Sequence, residues 1–208
     1  MFMAHRMRST AVSRMPWVIK LGGSLSADPL LKAWLDMLAE HGRGKVVIVP
    51  GGGAYADEVR TAQRRWNFDD AVAHRMALLA MEQYGLQLQG INPALVAADS
   101  VAKIESAMRD KKVAIWLASA MALAAPDISA AWDITSDSLA AWLAKTIRAA
   151  RLILVKSCSV DANGNFAALA RQGIVDAGFE EMVRDARYAI DVVSKTDLES
   201  VCERLVTS

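Results

Sequence analysis

Lys20 stands one residue ahead of Gly22, Gly23 and Ser24 in the stretch VIKLGGSL. A lysine in an otherwise apolar strand is costly unless its ammonium meets an anion or a polar cleft. Glycines just beyond it let the backbone approach a ligand, with N–H groups free to point at oxyanions. A second such loop, Gly51-Gly52-Gly53, follows the apolar run KVVIV, and a helix starting near Ala54 would add its positive end. A tight strand-to-helix turn explains either loop taken singly; the pair is better explained as a phosphate cradle.

Two further clusters carry chemistry. Thr135, Ser136 and Asp137 open the periodic stretch TSDSLAAWLAKTI. Helix capping accounts for one of these residues but not for all three. Lys156 ends the apolar run LILVK as Lys20 ends its own, and Ser157, Asp161, Asn163 and Gly164 form the polar turn beyond it. Two strand-end lysines with an aspartate to orient them suit phosphoryl transfer, in which the protein mainly positions groups and neutralises charge. Neither a Walker P-loop nor a G-x-G-x-x-G dinucleotide fingerprint is present.

These residues need a scaffold that brings strand ends together. WVIKL (17–21), KVVIV (45–49), VAIWLA (113–118), LILVK (152–156) and YAIDVV (188–193) are nearly continuous apolar runs, as for strands buried on both faces of a parallel sheet. Stretches with helical spacing lie between them. Leu30, Leu31, Trp34, Leu35 and Leu38 share one stripe, and Gly42 suits that helix's end. The alternation predicts an α/β fold whose ligands sit at the carboxyl ends of the strands.

The chain has 208 residues, 24 basic and 23 acidic side chains, and 53% hydrophobic residues. This charge balance gives no ground for a nucleic-acid partner, and no run reaches the roughly 18–20 apolar residues that cross a membrane. RTAQRRW (60–66) reads as a solvated helix face, and the scattered methionines as core filler. Cys158 and Cys202 cannot build a disulfide framework, which points to a reducing cytoplasm. No histidine–cysteine–carboxylate cluster has zinc spacing, so the expected metal is Mg²⁺ carried on nucleotide phosphates. Residues 1–15 are expected to form a disordered leader and 16–208 a single domain, working as a homo-oligomer on a small molecule.

The order Lys-x-Gly-Gly-Ser, Gly-Gly-Gly, Thr-Ser-Asp and Lys156 resembles the amino-acid kinase superfamily from residue 17 to about 165. The resemblance implies a three-layer αβα sandwich around a mainly parallel sheet of about eight strands. It places the acceptor over the N-terminal half and ATP over the C-terminal half. Lys20 would then stabilise the transferring phosphoryl group, Gly22, Gly23, Ser24 and Gly51 to Gly53 would bind phosphate, and Asp137 would organise the lysines. Ser136, Ser157, Asp161, Asn163 and Gly164 fall on the nucleotide side. Two departures stand out. The late strand continues as Lys156-Ser157-Cys158-Ser159-Val160-Asp161 instead of a Thr-Asp-Val-x-Gly-Val turn, and a late glycine-rich segment with a catalytic lysine is missing. Lys156 is the available second cation.

The segment FDDAVAHRMALLAMEQYG (68–85), with WDITSDSLAAWLA, is similar to the small kinases of methanofuran biosynthesis. That branch converts the monophosphate of 5-(aminomethyl)-3-furanmethanol to its diphosphate with ATP and magnesium. Asp70, His74, Arg75 and Thr135 are the acceptor candidates. His74 has two readings, a core histidine in a helix apolar nearly all round or a contact to an acceptor phosphate. Arg60 and Arg75 could clamp a carboxylate acceptor instead. A third possibility is a nucleotide-binding storage or regulatory protein without transfer activity.

Overall fold

In a computed structural model describing residues 15–160 and 165–208, six parallel strands form one sheet in the order β3-β4-β2-β1-β5-β6. They are β1 (Trp17–Leu21), β2 (Val46–Pro50), β3 (Leu95–Ala98), β4 (Val113–Trp116), β5 (Arg151–Lys156) and β6 (Ala189–Ser194). The αβα class is as expected, with six strands among the described residues in place of about eight. Between β5 and β6 the chain forms the short helices α7 (Phe166–Arg171) and α8 (Phe179–Val183). The leader expected at 1–15 lies, Met15 excepted, outside the described residues, as do Asp161, Asn163 and Gly164.

The four inner strands β1, β2, β4 and β5 are buried on both faces, whereas the edge strand β6, expected to be buried likewise, is largely half-buried. Residue parity sorts the side chains into two cores. Ile19, Leu21, Ile48, Ile153 and Val155 pack with Trp34, Leu35 and Leu38 of α1 (Leu30–His41) and Val201 of α9 (Leu198–Thr207). Val18, Val47, Val49, Leu152 and Leu154 face the other way, against Leu139, Ala140 and Leu143 of α6 (Ser136–Thr146). The same parity points Lys20 and Lys156 toward α6. Lys20 pairs in register with Leu154 of β5, so Lys156 lies one step beyond the β1 strand end on the same face.

Order reverses at β1, whose neighbours are β2 and β5. Such a switch point opens a crevice at the strand carboxyl ends. The loops after β1 and β2 meet there, backbone against backbone. A Cβ on Gly23 would lie 2.0 Å from the Gly53 nitrogen, and one on Gly51 would lie 2.4 Å from the Gly23 nitrogen. Gly53 also has φ +55, a conformation that side-chain-bearing residues rarely adopt. The crevice is completed by α2 (Gly53–Trp66) and the long α3 (Asp70–Ile91). Although α3 is rich in apolar residues, Val72, Leu79 and Leu86 are exposed, so one face of it is open and the helix is not buried all round.

Candidate active site

The first turn of α6 places Asp137 between the ends of β1 and β5. Lys156 donates a 2.5 Å hydrogen bond to its Oδ2, and Lys20 Nζ lies 2.8 Å from its Oδ1. The Lys20 contact is a charge pair outside hydrogen-bond alignment, leaving Oδ1 without an aligned donor. All three groups are at most 8% exposed. Burial opposes ionisation of Asp137, but the charges of Lys20 and Lys156 outweigh it and hold the carboxyl below its usual range. Burial, then the Lys20 charge, brings Lys156 down to about 8, against the opposing pull of Asp137. Two lysines thus face one carboxylate within the trio, and the nearby Asp176 charge also favours the Lys156 ammonium.

Two cavities adjoin this trio. The first, of about 460 Å³, lies between α2, α3 and the loop leading to α6, and is lined by Gly52, Gly53, Asp70, His74, Leu78 and Met81 among others. The second, of about 570 Å³, contains Lys20, Gly22, Asp137, Lys156 and Ser157 and is walled by residues 172–177. Gly23, Ser24, Arg60, Trp132, Thr135 and Ser136 line both, so the cavities share an edge.

Most candidate residues therefore converge. His74 is half-buried on the wall of the first cavity, and burial lowers its pKa, so it is neutral and able to hydrogen-bond at pH 7. Two candidates fall elsewhere. Arg75 points outward on α3 and lines neither cavity. Gly51 is buried, with its N–H donated to the Leu21 carbonyl at 2.9 Å, and so serves the close approach of the two loops. By contrast α2 starts at Gly53 with no side-chain cap, and Gly52, Gly53 and Ala54 at its start line the first cavity.

Sequence reasoning missed two supports. Arg60 bonds Asp57 at 2.9 Å and stacks over Trp132, its guanidinium carbon 4.4 Å from the ring centroid. The Trp132 indole N–H donates to Gln63 Oε1, and Gln63 Nε2 donates to Asp70 Oδ1. This brace joins α2, the start of α3 and the loop before α6, and its Arg60, Asp70 and Trp132 line the first cavity. The second is Asp176, whose carboxylate accepts from the backbone N–H and hydroxyl groups of Thr135 and Ser138. Partners 38 and 41 residues away leave no spacing signal, and an isolated aspartate in the stretch IVDAGF looks like any surface acid.

The chain resembles known proteins in sequence and in fold. Over 139 residues the chain is 33% identical to the (5-(aminomethyl)furan-3-yl)methyl phosphate kinase of Methanocaldococcus jannaschii. The match covers 66% of this chain and 63% of that protein. Among solved structures, uridylate kinase from Archaeoglobus fulgidus superposes with a TM-score of 0.67 at 16% identity, covering 92% of this chain and 95% of that one. UMP kinase from Bacillus anthracis gives 0.66 at 16% identity, covering 93% of each chain. An isopentenyl phosphate kinase gives 0.60 at 12% identity, covering 92% of this chain and 96% of that one. These three likenesses establish the fold. The amino acid kinase family profile matches residues 15–165, and with that match over most of its length the chain belongs to the amino acid kinase family.

Proposed function

We propose that the chain is an ATP-dependent small-molecule kinase that transfers the γ-phosphoryl group to an acceptor phosphate. The observation that carries this reading is the buried Lys20–Asp137–Lys156 trio, which lines the second cavity beside residues that line both. ATP would occupy the cavity walled by residues 172–177, and the acceptor the one lined by His74 and the first turn of α2. An acceptor phosphate oxygen attacks the γ-phosphorus, the bond to the β–γ bridging oxygen breaks, and ADP leaves. Such an acceptor is already an anionic nucleophile and needs no general base. Lys20 and Lys156 neutralise charge on the transferring group, and Asp137 keeps both ammonium groups aimed at it.

Mg²⁺ would be carried on the ATP phosphates, where it would supply charge neutralisation with few protein ligands. For the acceptor, the relative's name supports the monophosphate of 5-(aminomethyl)-3-furanmethanol, and its conversion to the diphosphate in methanofuran biosynthesis is what the sequence resemblance implies. The chain would act as a homo-oligomer in the cytoplasm. Among the described residues no helix is long and apolar enough to cross a membrane.

ADP release with Mg²⁺-ATP and a panel of phosphorylated and carboxylated acceptors tests the reading. Turnover is expected with the aminomethylfuran monophosphate. Turnover with carboxylates alone, with Arg60 as their clamp, would overturn the acceptor class. Tight ATP binding without any turnover would overturn the kinase reading in favour of a nucleotide-binding regulatory protein.

A further inference from the structure

The helix that carries Asp137 is not capped by its own sequence. Thr135 has the extended backbone of an N-cap residue, yet its hydroxyl makes no cap bond to α6. It donates instead to Asp176 Oδ2 at 2.9 Å, and the Thr135 N–H donates to the same oxygen at 3.0 Å. The Ser138 N–H, the group a local cap would take, also goes to Asp176 Oδ2 at 3.0 Å, and the Ser138 hydroxyl donates to Oδ1. One carboxylate from another part of the chain thus satisfies the helix start and places a negative charge at its positive end.

Asp176 belongs to the segment 172–177 that walls the cavity assigned to ATP, and Thr135 lines both cavities. Two residues on, the Gly178 N–H donates to the Asp133 carbonyl at 2.8 Å, and a Cβ on Gly178 would lie 2.4 Å from Ile134 Cδ1. The segment and the loop entering α6 are therefore locked together at two points. Asp137 lies between Thr135 and Ser138, so any shift of this turn moves the carboxylate that holds both lysines. We propose that Asp176 is a positioning residue of the phosphoryl-transfer site, tying the nucleotide-side wall to the first turn of α6 and so fixing Asp137 and the two lysine ammonium groups.

This inference rests on the kinase reading for its effect on rate, but one of its consequences can be read without turnover. The charged groups acting on Lys156 are Lys20 from β1, Asp137 from α6 and Asp176 from the 172–177 segment, and the Asp176 charge favours the ammonium form. Asp176→Asn keeps the size and part of the hydrogen bonding but removes the charge, whereas Asp176→Ala removes both. Acylation of Lys156 by an amine reagent, followed by mass spectrometry across pH, reports its titration midpoint in the free protein. In both variants the midpoint should move to lower pH than in the wild type. Turnover should fall about 10²-fold in Asp176→Ala, less in Asp176→Asn, with acceptor KM little changed. Ser100→Ala is the control for loss of an ordinary cap, since Ser100 Oγ caps α4 (Val101–Arg109) well away from the trio. It should lower the melting temperature and leave the Lys156 midpoint in place. An unmoved midpoint in Asp176→Asn, or wild-type turnover in Asp176→Ala, would overturn the proposal. A moved midpoint in a protein inactive toward every acceptor would sink the kinase reading and leave the link from Asp176 to Lys156 standing.

Discussion

Lys20 and Lys156 meet the same aspartate. With Lys156 brought down to about 8 by burial and the Lys20 charge, its proton titrates near working pH. The ammonium form is the one that neutralises phosphate, so kcat/KM for ATP should fall as pH rises through about 8. Bound ATP adds negative charge and moves the corresponding limb of kcat to higher pH. Stability should run the other way. Lys156 titrates near 8 folded and near 10.5 unfolded, so between these values the unfolded chain binds more protons. Its contribution to stability is thus gained as pH rises and lost as pH falls through 8. Urea titrations between pH 8 and 9 should show rising stability while activity declines, and Lys156→Met should remove that slope. A parallel fall of both quantities would refute the assignment. Lys20→Ala tests the other lysine: turnover should drop by about 10²–10³-fold with circular dichroism unchanged, and wild-type turnover would exclude Lys20 from the chemistry.

At the scale of elements, the closest constraint is the crossing of the loops after β1 and β2. The Cβ of Gly23→Ala would sit 2.0 Å from a backbone nitrogen, and backbone has no rotamer by which to escape. The variant should lose about 1–3 kcal/mol of stability and more than that in function, because Gly23 lines both cavities. Gly90→Ala is a fair comparison, since nothing lies within 4 Å of a Cβ there; denaturant midpoints that fall equally in both variants would remove the crossing as the cause. The two loops were legible because glycine clusters after apolar strands have a local physical meaning. Five strands were legible for a similar reason, each being a continuous apolar run. The strand β3, Leu95-Val96-Ala97-Ala98, was not, because two alanines give little β preference and its pairing with β4 comes from tertiary contact. Lys20 and Lys156 announced themselves by being charged where neighbours are apolar, and Asp137 by a run of capping types larger than one cap needs. Asp176 and the Arg60–Trp132–Gln63 brace act through partners distant in sequence, which no spacing rule encodes.

For the molecule as a whole, the question is whether the two cavities work as one site. Each ligand alone stabilises the fold by mass action, about 2.7 kcal/mol at a hundredfold excess over Kd, or roughly 5–11 °C in melting temperature for a domain of this size. Gly23, Ser24, Thr135 and Ser136 edge both cavities, and the trio lies beside them. A single molecule joining adenosine to the acceptor through a phosphate chain should therefore displace both ATP and the acceptor. At equal concentration it should also raise the melting temperature beyond either ligand, since one molecule that meets both walls binds with a lower Kd. Its central phosphates would lie against Lys20 and Lys156, so Lys20→Ala should weaken this compound more than it weakens ADP, whose phosphates stop short of the transfer point. Competition with ATP but not with the acceptor would mean that the first cavity is not the acceptor site. Equal loss of the compound and of ADP in Lys20→Ala would place that lysine on the nucleotide's own phosphates and away from the group in flight.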